Sequence, residues 1–319
     1  MGPFSKIREH FALASGNFAR LFKEVEIPQL PEAVACLITE FNQQEPDIPK
    51  LTRIISSDIE ISTKIIRTVN SALYGLPNEV KSIQSAITLL GLRSIRTIAL
   101  SYSMRSSIPS PKGGLFDQDA FWTDSLIRAL MARSMARKYL ACNEDEAFTV
   151  SLLSDVALPV LLSVWNQYYE PIVDRWKSSC QRLSRLEQEN FGWDHAQAGA
   201  WILKSWEFPD ELVSLVSVHN LSIDGIRELG LDRTVALPVA TAALLPSVLR
   251  HSEEGCKKFM ETALVLCSLK PGEFAGLVQD TQERFNGIRE QFGINAMDSQ
   301  RLFDSLLMLC DPMLVENAK

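Results

Sequence analysis

Asn70-Ser71-Ala72-Leu73-Tyr74-Gly75-Leu76-Pro77, followed by Ser82-Ile83-Gln84-Ser85-Ala86-Ile87-Thr88-Leu89-Leu90-Gly91-Leu92, is the stretch on which the fold turns. The first part ends a run with apolar residues at Ile61, Ile65, Ile66 and Val69, which is helical spacing. Gly75 and Pro77 then turn the chain, since neither residue suits a helix interior. Ser82 opens the next helix, with Ile83, Ala86, Ile87 and Leu90 inward, and Gly91 closes it. Taken by itself, this is a pair of helix corners.

The same spacing extends in both directions. Residues 4–24 carry Phe4, Ile7, Phe11, Ala14, Phe18 and Phe22 near one face. Ile27-Pro28-Gln29-Leu30-Pro31 is a stiff entry to a helix reaching about Phe41. Asp47 and Asp58 are each placed to cap a short helix, because a carboxylate oxygen accepts a first-turn N–H. Beyond Leu92–Met104, the prolines and glycines of Ile108–Gly114 mark a break. Helices are predicted at about 117–139, 144–165, 167–177, 183–190, 195–206, 209–219, 234–250, 255–268 and 295–310. Ile223–Arg233 and Lys270–Gly276 read as irregular. No alternating strand pattern, internal repeat or low-complexity tract is present. The fold class expected is all-α.

The chain has 319 residues, of which 46% are hydrophobic and 22% charged, so it can bury a sizeable core. Its net charge of −7 opposes binding to nucleic acid, which needs a basic footprint. The one basic cluster is Arg128, Arg133, Arg137 and Lys138 on a single predicted helix. None of the six cysteines forms a CxxC pair, which removes zinc-knuckle and thioredoxin-type sites. The opening MGPFSKIREHF lacks an apolar signal core, and no uninterrupted apolar run reaches the roughly 18–20 residues that span a bilayer. A cytoplasmic protein without membrane contact is expected. There is no GxSxG, P-loop or GxGxxG motif in a suitable setting.

Ile27-Pro28-x-Leu30-Pro31, then Asn70–Pro77, then Ala86–Leu92 resemble the HDOD family in order and spacing. The resemblance continues through Phe121-Trp122, Leu152–Leu161, Gly192-Trp193-Asp194-His195-Ala196 and Trp206-x-Phe208-Pro209-Asp210-Glu211-Leu212, covering roughly residues 20–222. It implies an all-helical output module related to HD-type metal-dependent phosphohydrolases. Four stretches are expected: 1–19 as an N-terminal helical extension, 20–110 as an N-terminal helical subdomain, 111–222 as a degenerate HD-like subdomain packed against it, and 223–319 as a C-terminal helical extension.

HD-type chemistry needs histidines and carboxylates that converge on one or two divalent metals, which polarise phosphate and generate hydroxide. By the resemblance, the first ligand histidine, after Phe-Trp, is replaced by Asp124. The His-Asp pair is replaced by Ser154-Asp155, and its Gly-Lys ending by alanine and leucine. A serine hydroxyl is a poor metal ligand, and leucine cannot contact phosphate electrostatically. The remnant pocket is therefore Asp124, Ser154, Asp155, His195 and His219. Each histidine also has a bland reading. His195 follows the cap Asp194 on a stripe with Ala198, Gly199 and Ile202, and His219 sits at a helix end, where the dipole favours it.

The expected function is a non-enzymatic bacterial signal-transduction module that binds a protein partner. No catalytic metal or other cofactor is expected, beyond weak Mg²⁺ or Mn²⁺ binding by the carboxylates. A groove between subdomains is expected as the working surface, with Asn70, Tyr74, Gly75, Pro77 and Asn78 contributing contacts near Asp124 and Asp155. The polar remnant is expected to be closed by a hydrogen bond from His195 or His219 to a carboxylate. Two alternatives stand beside this reading: a divergent metal-dependent phosphohydrolase acting on a nucleotide or cyclic dinucleotide, and a helical nucleic-acid-binding regulator.

Overall fold

The computed structural model describes residue 18 and residues 27–111, 116–139, 143–250, 252–294 and 299–310. Among these, every regular element is an α-helix. The expected helix at 4–24, apart from Phe18, lies outside the described residues, as do Cys142, His10 and His251.

The chain divides into two compact units that interleave along the sequence. The first comprises residues 1–70, 76–117 and 153–220, and the second 71–75, 118–152 and 221–319.

In the first unit, α1 (Glu32–Phe41), α2 (Ile48–Ser57), α3 (Ile59–Val69) and α4 (Ile83–Ser107) pack in succession. Asp47 accepts the Lys50 N–H at 2.9 Å and Asp58 the Ile61 N–H at 2.9 Å, so both carboxylates cap the helices assigned to them. Ser82 caps α4 through the Ser85 N–H. Gly91 stands inside α4 at φ 80° and ψ 162°, a conformation open to glycine, and it kinks the helix into two. Asn70 spends its amide on both backbone groups of Val80 at 2.8 Å and so closes the loop after α3.

The first unit continues with α7 (Ala157–Val164), α8 (Asn166–Ser178), α9 (Leu183–Phe191), α10 (His195–Ser205) and α11 (Asp210–Ser217). Within it, α10 packs against α7 and α11, and α8 packs against α7 and α9. The Trp206 indole N–H donates to the Pro28 carbonyl at 2.9 Å, and the Asn42 amide donates to the Glu207 carbonyl at 2.8 Å. These two bonds tie the end of α10 to the entry segment and to the end of α1.

The second unit contains α5 (Gln118–Lys138), α6 (Glu144–Leu153, its last residue belonging to the first unit), α12 (Ile223–Glu228), α13 (Ala236–Ala242), α14 (Glu253–Cys267), α15 (Pro271–Ile288) and α16 (Ser299–Met308). Helix α5 is its spine, touching α13, α14 and α15.

Several elements differ from the sequence reading. The expected helix at 144–165 breaks at Ser154–Val156, giving α6 and α7. The expected helix at 234–250 ends at Ala242, where Leu244 and Leu245 turn to carbonyls three residues back and Pro246 has no N–H to offer the Ala242 carbonyl. Helices α12 and α15 occupy stretches read as irregular or left unassigned. The span Glu144–Val164 is apolar and long enough to cross a membrane, but 78% of its most apolar window is buried inside the protein.

Candidate functional site

The first unit holds a buried polar cluster built on three helix ends. Asp155 lies in the turn between α6 and α7. His195 is the first residue of α10. His219 follows α11. One donor atom from each lies within 4.8 Å of the others.

The local sequence places His195 firmly. The Asp194 side chain accepts the N–H groups of Ala196 at 3.0 Å and Gln197 at 3.2 Å, and the Gln197 side chain accepts the Asp194 N–H at 3.1 Å. This reciprocal capping box fixes the start of α10 and the direction of the imidazole. His195 Nδ1 lies 2.6 Å from Glu187 Oε2, and the His195 backbone N–H donates to the same oxygen at 2.9 Å. The other Glu187 oxygen accepts from the Tyr169 hydroxyl. On the far side of the ring, His195 Nε2 lies 3.2 Å from Asp155 Oδ1.

His195 thus stands between two carboxylates. Burial alone would lower its pKa. The Glu187 charge, followed by hydrogen bonds to Asp155 and Glu187 and by the Asp155 charge, outweighs burial and holds the imidazole well above its ordinary range. Tyr169 moves up as well, through burial and then the charge and hydrogen bond of Glu187. Asn220 Nδ2 is 3.0 Å from His195 Nε2, and Arg182 Nη2 donates to Asn220 Oδ1 at 3.2 Å. The Asn220 contact belongs to a neutral ring with a lone pair on Nε2. The Asp155 contact belongs to the imidazolium, which the paired carboxylates favour.

His219 is arranged differently. Its Nδ1 faces the Val216 carbonyl at 2.8 Å, so the proton belongs on Nδ1 and the lone pair on Nε2. That Nε2 is buried without a hydrogen-bond partner, 3.4 Å from Asp155 Oδ1.

This bare atom allows a test for a metal. Donors about 2.1 Å from one first-row ion lie roughly 3 Å apart, close to the separations found here. Both histidines have an outward Nδ1 partner, as ligating histidines do. Asp155, His195 and His219 therefore fit a single cation, which would act as a Lewis acid when bound. They do not supply the ligands for two, because Glu187 is spent on His195 and Tyr169.

Of the other residues in the expected remnant, Ser154 is buried next to Asp155 in the first unit. Asp124 is in the second unit, on α5, where its Oδ1 accepts the Val248 N–H at 2.9 Å. In the corner, Gly75, Pro77 and Asn78 are exposed. Tyr74 is half-buried beneath Arg133, whose guanidinium carbon is 5.0 Å from the ring centroid.

The sequence reading missed Glu187, Tyr169, Arg182 and Asn220. A signal for Glu187 was present. Leu183, Leu186, Glu187 and Asn190 fall on one helical face, and a carboxylate on an apolar stripe demands a partner.

The HDOD domain family profile matches residues 27–221, more than half of the chain. The solved structure of an HDOD domain protein of unknown function from Geobacter sulfurreducens has a TM-score of 0.66 at 16% identity, covering 88% of this chain and 99% of that one. A protein of Shewanella amazonensis SB2B, provisionally called a phosphohydrolase, has a TM-score of 0.64 at 21% identity, covering 82% of this chain and 95% of that one. An uncharacterised protein of Treponema pallidum (strain Nichols) is 20% identical over 200 residues, which are 61% of this chain and 38% of that protein. The chain thus matches well under half the length of that relative.

Proposed function

The chain belongs to the HDOD domain family, and from that membership we propose that it is a signal-output module that acts by binding a protein partner rather than by hydrolysing phosphoesters. The observation that carries this reading is the clamp on His195. An imidazole held between Glu187 and Asp155 shares a proton where an HD-type enzyme needs a metal. Ser154 adds a neutral hydroxyl beside Asp155, where such an enzyme has a histidine. In this reading the cluster is a polar strut that fixes the ends of α7, α10 and α11. The exposed Pro77 and Asn78 contribute to the partner surface, the protein acts in the cytoplasm, and no cofactor is required.

The bare Nε2 of His219 supports a second reading, a hydrolase using one metal ion. The two readings separate in one experiment. The purified protein is loaded with Mn²⁺ or Fe²⁺, bound metal is measured, and phosphodiester hydrolysis is assayed on several nucleotides and cyclic dinucleotides. The signalling reading expects substoichiometric metal and no turnover. Stoichiometric metal with turnover that disappears in Asp155→Ala replaces it with the hydrolase.

A further inference from the structure

The second unit contains a cleft of about 410 Å³ between α5 and α15. Four cations line it: Arg133, Arg137 and Lys138 from α5, and Arg284 from α15. Three of them belong to the basic cluster of a chain that is acidic as a whole.

The arginines are held side by side. Glu144 accepts from Arg133 Nη2 at 2.8 Å, Arg137 Nε at 2.5 Å and Arg137 Nη2 at 3.1 Å. Arg284 Nε donates to Asp280 at 2.8 Å, and its Nη1 donates to the Leu73 carbonyl. These bonds orient the cations without exhausting them, since a guanidinium has five N–H donors. The lining has four cations and three carboxylates, and Asp145 beside it also pairs with Arg133 Nη2 at 3.3 Å. The charges balance, but three guanidiniums and an ammonium carry more N–H donors than these carboxylates take up.

Two further observations point to a ligand. The Arg133 side chain is only 8% exposed, and its Nε is buried without a hydrogen-bond partner. Such a donor asks for an oxygen. On the opposite wall, Gly276 lies inside α15, where glycine weakens a helix relative to alanine. A Cβ added there meets nothing within 4 Å. Packing within the protein does not account for the missing side chain, and its effect is to leave room in the cleft.

We propose that this cleft binds a small phosphate-bearing molecule. Arg133 forms the floor, and Arg137, Lys138 and Arg284 close on the phosphate oxygens from two helices. A phosphate group suits the site because its oxygens point in several directions, as the donors on facing helices require. The volume is that of an ordinary small-molecule pocket.

The test is calorimetric titration of the full chain with inorganic pyrophosphate at matched ionic strength. The expected result is saturable binding at one site, weakened at least about tenfold in both Gly276→Met, which fills the cleft without altering charge, and Lys138→Met, which removes an exposed cation. Circular dichroism establishes that each variant is folded, and Lys138→Met decides the matter if Gly276→Met is not. Asp155→Ala binds pyrophosphate like the unaltered protein, which separates this site from the polar cluster. Absence of saturable binding overturns the proposal. So does binding that survives unchanged in a folded Gly276→Met, or equal loss in Asp155→Ala.

Discussion

His195 sets the pH behaviour of the first unit. Its folded pKa is raised above 6.5, so the stabilisation it provides is fully present below that value and is lost as pH rises through the folded pKa. With chelator present, the melting temperature should therefore fall as the solution is made alkaline. Glu187→Gln should flatten that dependence, because the carboxylate with the larger effect on the imidazole loses its charge. A melting curve for Glu187→Gln with the same alkaline slope would show that His195 is not the titrating group. Glu187→Ala is harsher: it leaves His195 and Tyr169 facing a void, and breaking a buried pair in this way costs about 3–5 kcal/mol, measurable by urea denaturation. Asp155, His195 and His219 entered the sequence reading, with Asp124 and Ser154, through the resemblance to the HDOD family and not through helical periodicity, which put Asp155 inside one long helix. The partners that decide their protonation were harder to see. Glu187 precedes His195 by eight residues on a different helix, and only the packing of α9 against α10 reveals the pair.

Helix boundaries were legible wherever a side chain announces them. Asp47, Asp58, Ser82 and Asp194 each cap the helix that the sequence assigned. Replacing Asp194 with alanine should destabilise the protein by about 1 kcal/mol by denaturant titration, the usual cost of a lost cap. Gly91 and Gly276, both within helices, make a sharper pair. Gly91→Ala forces a Cβ into a backbone conformation that essentially only glycine adopts, and should cost about 1–3 kcal/mol. Gly276→Ala keeps ordinary helical geometry in open space, and should stabilise by about 0.5–1 kcal/mol. Opposite signs in chemical denaturation check the assignment of both sites. Helix α15 was missed for a related reason. Pro271, Gly272 and Gly276 resemble a loop in composition, yet proline at the first position of a helix is favourable and the glycines are tolerated. The break at Ser154–Val156 carries no proline or glycine at all. It was hidden inside a continuous apolar run.

At the scale of the whole molecule, the informative fact is the order in which the chain visits its two units. Residues 1–70 and 76–117 share a unit with 153–220, and the Trp206–Pro28 and Asn42–Glu207 bonds join those distant segments. A fragment ending at residue 117 therefore lacks a large part of its own core. It should show weak helical circular dichroism and no cooperative melting, whereas residues 1–319 melt cooperatively. A fragment ending at 117 that melts sharply would mean that α1–α4 are self-sufficient. The Pro/Gly break near 108–114 was legible as punctuation. The return of the chain to the first unit at residue 153 was not, because helical periodicity tells which face is buried and not against what.

The five residues Ser71–Gly75 count with the second unit although the chain on either side of them counts with the first. Arg284 grips the Leu73 carbonyl and Arg133 covers Tyr74, and both arginines come from sequence far downstream. On the ribosome this arrangement imposes a schedule. The loop is synthesised first and cannot find Arg284 until the long stretch between them has emerged. At roughly 5–20 residues per second, the wait lasts on the order of ten seconds or more. During that interval Leu73 and Tyr74 stand without their final cover, so the nascent chain is a natural client for chaperones. Slowing translation between residues 75 and 284 should deepen that dependence.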